Sequence, residues 1–306
     1  MFFGTPHERY AARLKGGSNS KDPSARIWLS SAEQSLWNPR RGSIPRNDEL
    51  RFPADRPEAV AFALPLRRGQ RFIAAAEVQS AREIPVFLDL FTRDDAELRH
   101  RGNAARHQSL LTLEIPADGD YVLRVQPELG RPISLTLVQR VEPTLRLPVH
   151  GATPADIRSS FGAPRDGGRR EHEGVDIFAK HGTNVLAAAD GIVSSVGTNR
   201  LGGKVVWVWR PLRGEAHYYA HLDAQHVAAG TRVRTGDPIG TVGNTGNART
   251  TVPHLHFGIY ASGAAVDPLP YLVGWLRKPD RVEREARQLL SRQTRINAAT
   301  SIARPP

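Results

Sequence analysis

The chain of 306 residues has no cysteine, and its only methionine is Met1. Without thiols there are no disulfides, no Cys-ligated structural zinc, no iron–sulfur cluster and no thiol nucleophile. The absence does not identify a compartment, since a thiol-free chain tolerates oxidising and reducing surroundings alike. Long apolar runs are missing too. None approaches the roughly 18 residues of a membrane-spanning helix, so no transmembrane segment is expected. The opening Met1-Phe2-Phe3-Gly4-Thr5-Pro6-His7 turns polar at once and does not read as a signal peptide. Acidic residues are scarce: 31 Asp and Glu face 42 Lys and Arg, a formal charge of +11. That balance favours anionic partners: nucleic acid, acidic lipid or an acidic polymer of the cell envelope. Specific nucleic-acid binding is not expected, because neither aromatic interleaving nor a known motif accompanies the charge.

What is present divides the chain into four parts. Residues 1–47 read as a helical N-terminal segment, in which Ser24 is placed to cap a stretch with Trp28, Ala32 and Leu36 on one face. Residues 48–142 change to a period of two. Candidate strands run over 59–66, 71–78, 85–91, 110–115, 121–125 and 133–138, separated by turn residues, which argues for a small antiparallel β-sandwich serving as an accessory domain. His100 and His107 fall there in an Arg-rich stretch expected to be a surface loop. Residues 143–276 form a glycine-rich β-domain, in which seven of the eleven histidines fall between His172 and His256. A short repeat runs through it: Gly182-Thr183-Asn184-Val185 returns as Gly230-Thr231-Arg232-Val233, and Val196-Gly197 as Val242-Gly243. That points to a duplicated hairpin motif. Residues 277–306 are a basic tail with eight basic and three acidic residues, expected as a solvated arm or helix.

Three clusters carry the chemistry: His172-Glu173-Gly174-Val175-Asp176, Tyr219-Ala220-His221-Leu222 and Pro253-His254-Leu255-His256-Phe257. The last reads as a strand, so His254 and His256 aim into one space. His172 and Asp176, four apart, share a face in a strand as well. Two imidazoles and one carboxylate make a three-ligand metal set with an open fourth position, the coordination of catalytic zinc. Spacing alone leaves open which histidine of the last cluster is the ligand. His181 and His226 sit in polar turns and are expected at the surface, and His217 is expected to face solvent.

Taken together and in order, these clusters resemble the lysostaphin-type (LytM-like) zinc metallopeptidases, which cleave peptide bonds in peptidoglycan. Further matching stretches are Ser160-Phe161-Gly162, Ala189-Asp190-Gly191-Ile192-Val193, Gly236-Asp237-Pro238-Ile239-Gly240 and Gly243-Asn244-Thr245-Gly246. The resemblance covers about residues 145–270. It implies a mainly β chain whose C-terminal domain is a LytM-like barrel-sandwich hybrid, and a peptidoglycan endopeptidase activity. It implies one Zn²⁺ held by His172, Asp176 and His256, with His221 and His254 as non-ligand catalytic histidines. It also implies an extracytoplasmic location. The sandwich at 48–142 resembles, more vaguely, the domain that precedes some of these peptidases. Some members carry a tyrosine shortly before the first ligand. Here Arg165 to Glu171 contains none, and Arg165 is either its replacement or part of a plain solvated turn. The alternative reading is a catalytically silent LytM-like domain that binds and activates a cell-wall amidase, although such domains usually lose some of these five positions. A biotinyl- or lipoyl-type carrier would need a lysine at a hairpin tip, and Asn244-Thr245-Gly246 has none.

Overall fold

The computed structural model describes residues 4–16, 21–79, 84–94 and 97–273. They fall into two compact units that divide after Glu142. The basic tail lies outside the described residues. No helix among those described is long and apolar enough to cross a membrane.

The first unit opens with helices α1 (Pro6–Lys15) and α2 (Pro23–Trp37). Thr5 and Glu8 close a capping box on α1. On α2 the cap is Asp22, whose side chain accepts from the Ser24 N–H at 2.8 Å. Ser24 is therefore inside the first turn and not the cap, because Pro23 fits the first helical position and moves the start back. Ala25, Trp28, Ala32 and Leu36 form the buried stripe of α2. Trp28 donates its indole N–H to the Pro127 carbonyl at 2.8 Å.

Eight strands follow in this unit: β1 (Arg46–Phe52), β2 (Val60–Leu66), β3 (Gln70–Val78), β4 (Val86–Asp94), β5 (Glu97–Asn103), β6 (Leu110–Glu114), β7 (Gly119–Pro127) and β8 (Ile133–Pro143). They form two four-stranded sheets, ordered β1-β8-β3-β6 and β2-β7-β4-β5. β4 and β5 of one sheet lie against β6 of the other. Alternating residues such as Phe62, Leu64, Leu88, Leu90, Leu123 and Val125 are buried. The sandwich expected from the period-two pattern is therefore present. Two strands escaped that pattern. β1 and β5 are charged edge strands with few apolar residues, as edges commonly are. His100 consequently lies on β5 and not in a loop, with Nε2 3.6 Å from the buried Asp89 carboxylate.

The second unit holds β9 (Ile157–Ser159), β10 (Pro164–Arg165), β11 (Arg170–Glu171), β12 (Val175–Phe178), β13 (Asn184–Leu186), β14 (Gly191–Asn199), β15 (Gly203–Arg210), β16 (Glu215–Gln225), β17 (Arg232–Val233), β18 (Pro238–Val242), β19 (His254–Ala261) and β20 (Ala264–Val266), with a short α3 (Leu269–Leu272). Its main path runs β17-β14-β15-β16-β19-β12-β9, with β13, β18 and β20 attached at the side. The two copies of the repeat do equivalent jobs in exchanged places. Gly182 N–H donates to Val242 O at 2.8 Å and Gly230 N–H to Val193 O at 2.7 Å. Val242 and Val193 return the bond to Thr183 O and Thr231 O, both at 2.8 Å. Both glycines need the left-handed φ that other residues avoid (83° and 88°). The chain as a whole is mainly β.

Candidate metal centre

Three neighbouring strands bring the clusters together through the two-residue period. On β12, Val175 and Ile177 enter the core while Asp176 points the other way. On β19, Leu255, Phe257 and Ile259 enter the core while His254 and His256 do not. Asp176 stands directly opposite His256, and His256 opposite Ala220 on β16. β16 then changes neighbours. It pairs with β19 up to Ala220 and with β18 from Leu222. His221 occupies the change-over with φ 62°, a strained value for a residue with a side chain. This twist turns the imidazole into the same cleft.

His172 precedes β12 instead of lying on it, so the shared-face argument for His172 and Asp176 reached the right pairing through the wrong element. The tight approach depends on Gly174. A Cβ there would stand 2.8 Å from the His256 ring, closer than real Cβ contacts allow.

His172 Nε2, Asp176 Oδ1 and His256 Nδ1 form a nearly equilateral triangle with sides of 3.0, 2.9 and 3.1 Å. The Ser160 carbonyl, 2.8 Å from His172 Nδ1, can only accept a hydrogen bond. The proton is thereby fixed on Nδ1, and the lone pair on Nε2 faces the triangle. Donor atoms about 3.3 Å apart are what tetrahedral Zn–N and Zn–O bonds of about 2.0–2.1 Å require, so this group fits a small divalent cation. Burial opposes ionisation of Asp176, but the imidazoles of His172 and His256 against its Oδ1 outweigh burial and hold the carboxyl well below the usual range. Arg165 adds a second anchor: its Nη2 donates to the outer Asp176 Oδ2 at 3.0 Å and to Ser159 Oγ at 2.5 Å. Arg165 therefore is not part of a plain solvated turn, and it lines the cleft. It clamps a candidate ligand.

The two remaining histidines are held in the same way. His221 Nδ1 donates to Thr245 O at 2.9 Å and His254 Nδ1 to Val252 O at 2.8 Å. In each the lone pair is left on Nε2. His254 Nε2 is 4.0 Å from Asp176 Oδ1, and the ring stacks on Phe178 at 5.0 Å. The rings of His221 and His254 are 5.0 Å apart. Burial, then the neighbouring His254 and His256, push the His221 pKa down to about 4. It is thus a neutral base at pH 7. All five residues line one open cleft of about 850 Å³, together with Trp207, Tyr218 and Tyr260.

The other histidines stay out of the cleft. His181 and His226 are at the surface, as expected. His217 does not face solvent: it is fully buried, its ring 5.5 Å from Phe257, and neither nitrogen has a hydrogen-bond partner among the described residues. Alternation places it there, since Tyr219, two residues on, is also inward.

This fold and donor set define a β-domain with a candidate metal centre. Residues 170–268 match the model of Peptidase family M23. The chain is 39% identical over 137 residues to an L-Ala–D-Glu endopeptidase of Bacillus subtilis, covering 41% of this chain and 42% of that protein. It is 37% identical over 105 residues to a peptidoglycan DD-endopeptidase of Vibrio cholerae, covering 34% and 24%. It is 38% identical over 106 residues to a glycyl-glycine endopeptidase of Staphylococcus capitis, covering 33% and 29%. The chain thus spans less than half the length of these relatives, which are named as endopeptidases.

Proposed function

We propose that the protein is a zinc-dependent endopeptidase that hydrolyses peptide bonds in peptidoglycan, with residues 143–276 as the peptidase domain and 48–142 as an accessory domain. The observation that carries this reading is the 3 Å triangle of His172, Asp176 and His256 with two further imidazoles at its edge. Three donors without thiolate suit zinc with an open coordination position. Zinc bound there would polarise the scissile carbonyl and acidify the attacking water. The chain's own groups handle the protons. His254 presents the lone pair of Nε2 4.0 Å from Asp176 Oδ1 and would accept a proton from the attacking water. His221 presents the same tautomer from the strand change-over. Once protonated, either imidazole donates from Nε2 to a developing oxyanion or to the leaving amine. Arg165 keeps Asp176 Oδ1 turned toward the imidazoles by occupying Oδ2.

The amidase-activator alternative is disfavoured by the presence of all five side chains in one cleft. The location that follows from this reading is extracytoplasmic. The test is digestion of purified sacculi and of crosslinked muropeptides by the full chain and by His256→Ala. New peptide termini from the wild type and none from the variant are expected. Sacculi left intact by the zinc-loaded wild type would overturn the reading.

A further inference from the structure

We propose that the cleft selects a peptide bearing a free carboxylate beside the scissile bond, with Arg200 as the residue that receives it; this rests on the endopeptidase reading above. Arg200 sits at the exposed β14–β15 turn and lines the cleft. Each neighbour in that turn is fastened. Asn199 Oδ1 accepts the Gly202 N–H at 2.6 Å, and Asn199 Nδ2 donates to the Tyr218 hydroxyl at 3.3 Å. Leu201 O accepts the Asn247 N–H at 3.0 Å, and Gly202 O accepts the His221 N–H at 2.7 Å. The turn is therefore tied to the backbone of His221 and to the loop that holds the His221 ring. Gly246, with φ 73°, makes that junction possible, because a Cβ there would collide with Gly203 N and Leu201 O.

The charges of the cleft leave Arg200 without an internal partner. Its lining includes two carboxylates, and both are engaged. Glu173 accepts the Tyr260 hydroxyl at 2.9 Å, and Asp176 is held by Arg165, His172 and His256. Asp166, on the β10–β11 hairpin, is claimed by Arg170 through its carboxylate at 2.7 Å and by Arg169 through its carbonyl at 3.0 Å. The Asp166 carboxyl is held below the usual range first by Arg170, with Arg169 and Arg200 adding to the field. Among the described residues no carboxylate lies within ion-pair distance of Arg200. The wall thus carries more guanidinium than carboxylate, and the Arg200 guanidinium, borne on a turn whose neighbouring residues are fastened, has no ion-pair partner among the described residues. A planar fork of this kind pairs a carboxylate in two parallel hydrogen bonds. An acidic stem peptide offers that group, whereas an oligoglycine bridge is uncharged along its length.

The test uses the full zinc-loaded chain and three synthetic substrates: a crosslinked stem peptide with free carboxylates, the same peptide with those groups amidated, and an oligoglycine-bridged peptide. The expected result is a kcat/KM about tenfold higher for the free acid than for the amide, carried by KM, the lower end for a hydrogen bond to a charged group. Arg200→Gln should bring the ratio close to one, and Arg200→Lys should restore part of it. Equal or better cleavage of the amide or the oligoglycine peptide overturns the proposal, as does an unchanged ratio in Arg200→Gln. Cleavage of none of the three would instead refute the endopeptidase reading, and this proposal with it.

Discussion

Acid should loosen the second unit through His217, a histidine with no place in the proposed chemistry. Burial, and then the charge of Arg210, pushes its pKa down to about 3 from an ordinary 6.5. The unfolded chain therefore binds a proton that the folded one refuses between those two values. The stabilisation is complete above about pH 6.5 and falls as pH drops toward 3. Each unit of difference is worth about 1.4 kcal/mol, so the full loss is about 5 kcal/mol and the loss on going from pH 7 to pH 4 about 3 kcal/mol. That is a large share of a typical domain stability of about 5–15 kcal/mol. His217→Leu keeps an apolar side chain of similar size against Phe257 and removes both unpaired nitrogens. Hydrogen exchange of the β16 and β19 amides in urea reads this unit by itself. The wild type should lose about 3 kcal/mol more than His217→Leu between pH 7 and pH 4, since His221, His256 and metal release act in both. Equal pH responses of the two proteins would refute the argument.

Three further outcomes follow from the site and the tail. Arg165→Gln should weaken zinc affinity about 10- to 100-fold in chelator competition, the usual scale for an outer partner of a ligand; unchanged affinity would mean that the Asp176 contact does not matter. His221→Ala and His254→Ala should keep stoichiometric zinc and lose about 10²-fold or more in turnover, and near-normal turnover by either would make that histidine a bystander. A chain cut after Leu276 should bind whole sacculi more weakly at low salt, with turnover of a short soluble peptide and the melting temperature unchanged. A large fall in melting temperature would show instead that the tail is part of the packed fold.

The parts of this molecule that the sequence made legible are those written in a short period. Leu255, Phe257 and Ile259 alternating with His254 and His256 disclosed both a core face and a site face, and the repeated Gly-Thr-x-Val disclosed the exchanged hairpins. The edge strands β1 and β5 were hidden because edges need no apolar alternation. His217 was misplaced because a buried imidazole without partners runs against the rule that buried polar groups are satisfied. The clamp made by Arg165 and the place of Arg200 at the cleft were out of reach for a different reason. Each depends on where a loop is tied in space, by bonds to Ser159 and Asp176 or through the backbone of His221, and no local spacing records that.

The most direct test of the account is elemental analysis of the purified protein beside Asp176→Ala and His172→Ala. The account predicts about one zinc per wild-type chain, with most of it lost from either variant. Stoichiometric zinc retained by Asp176→Ala or His172→Ala, or a metal-free wild type that still digests sacculi, would contradict it.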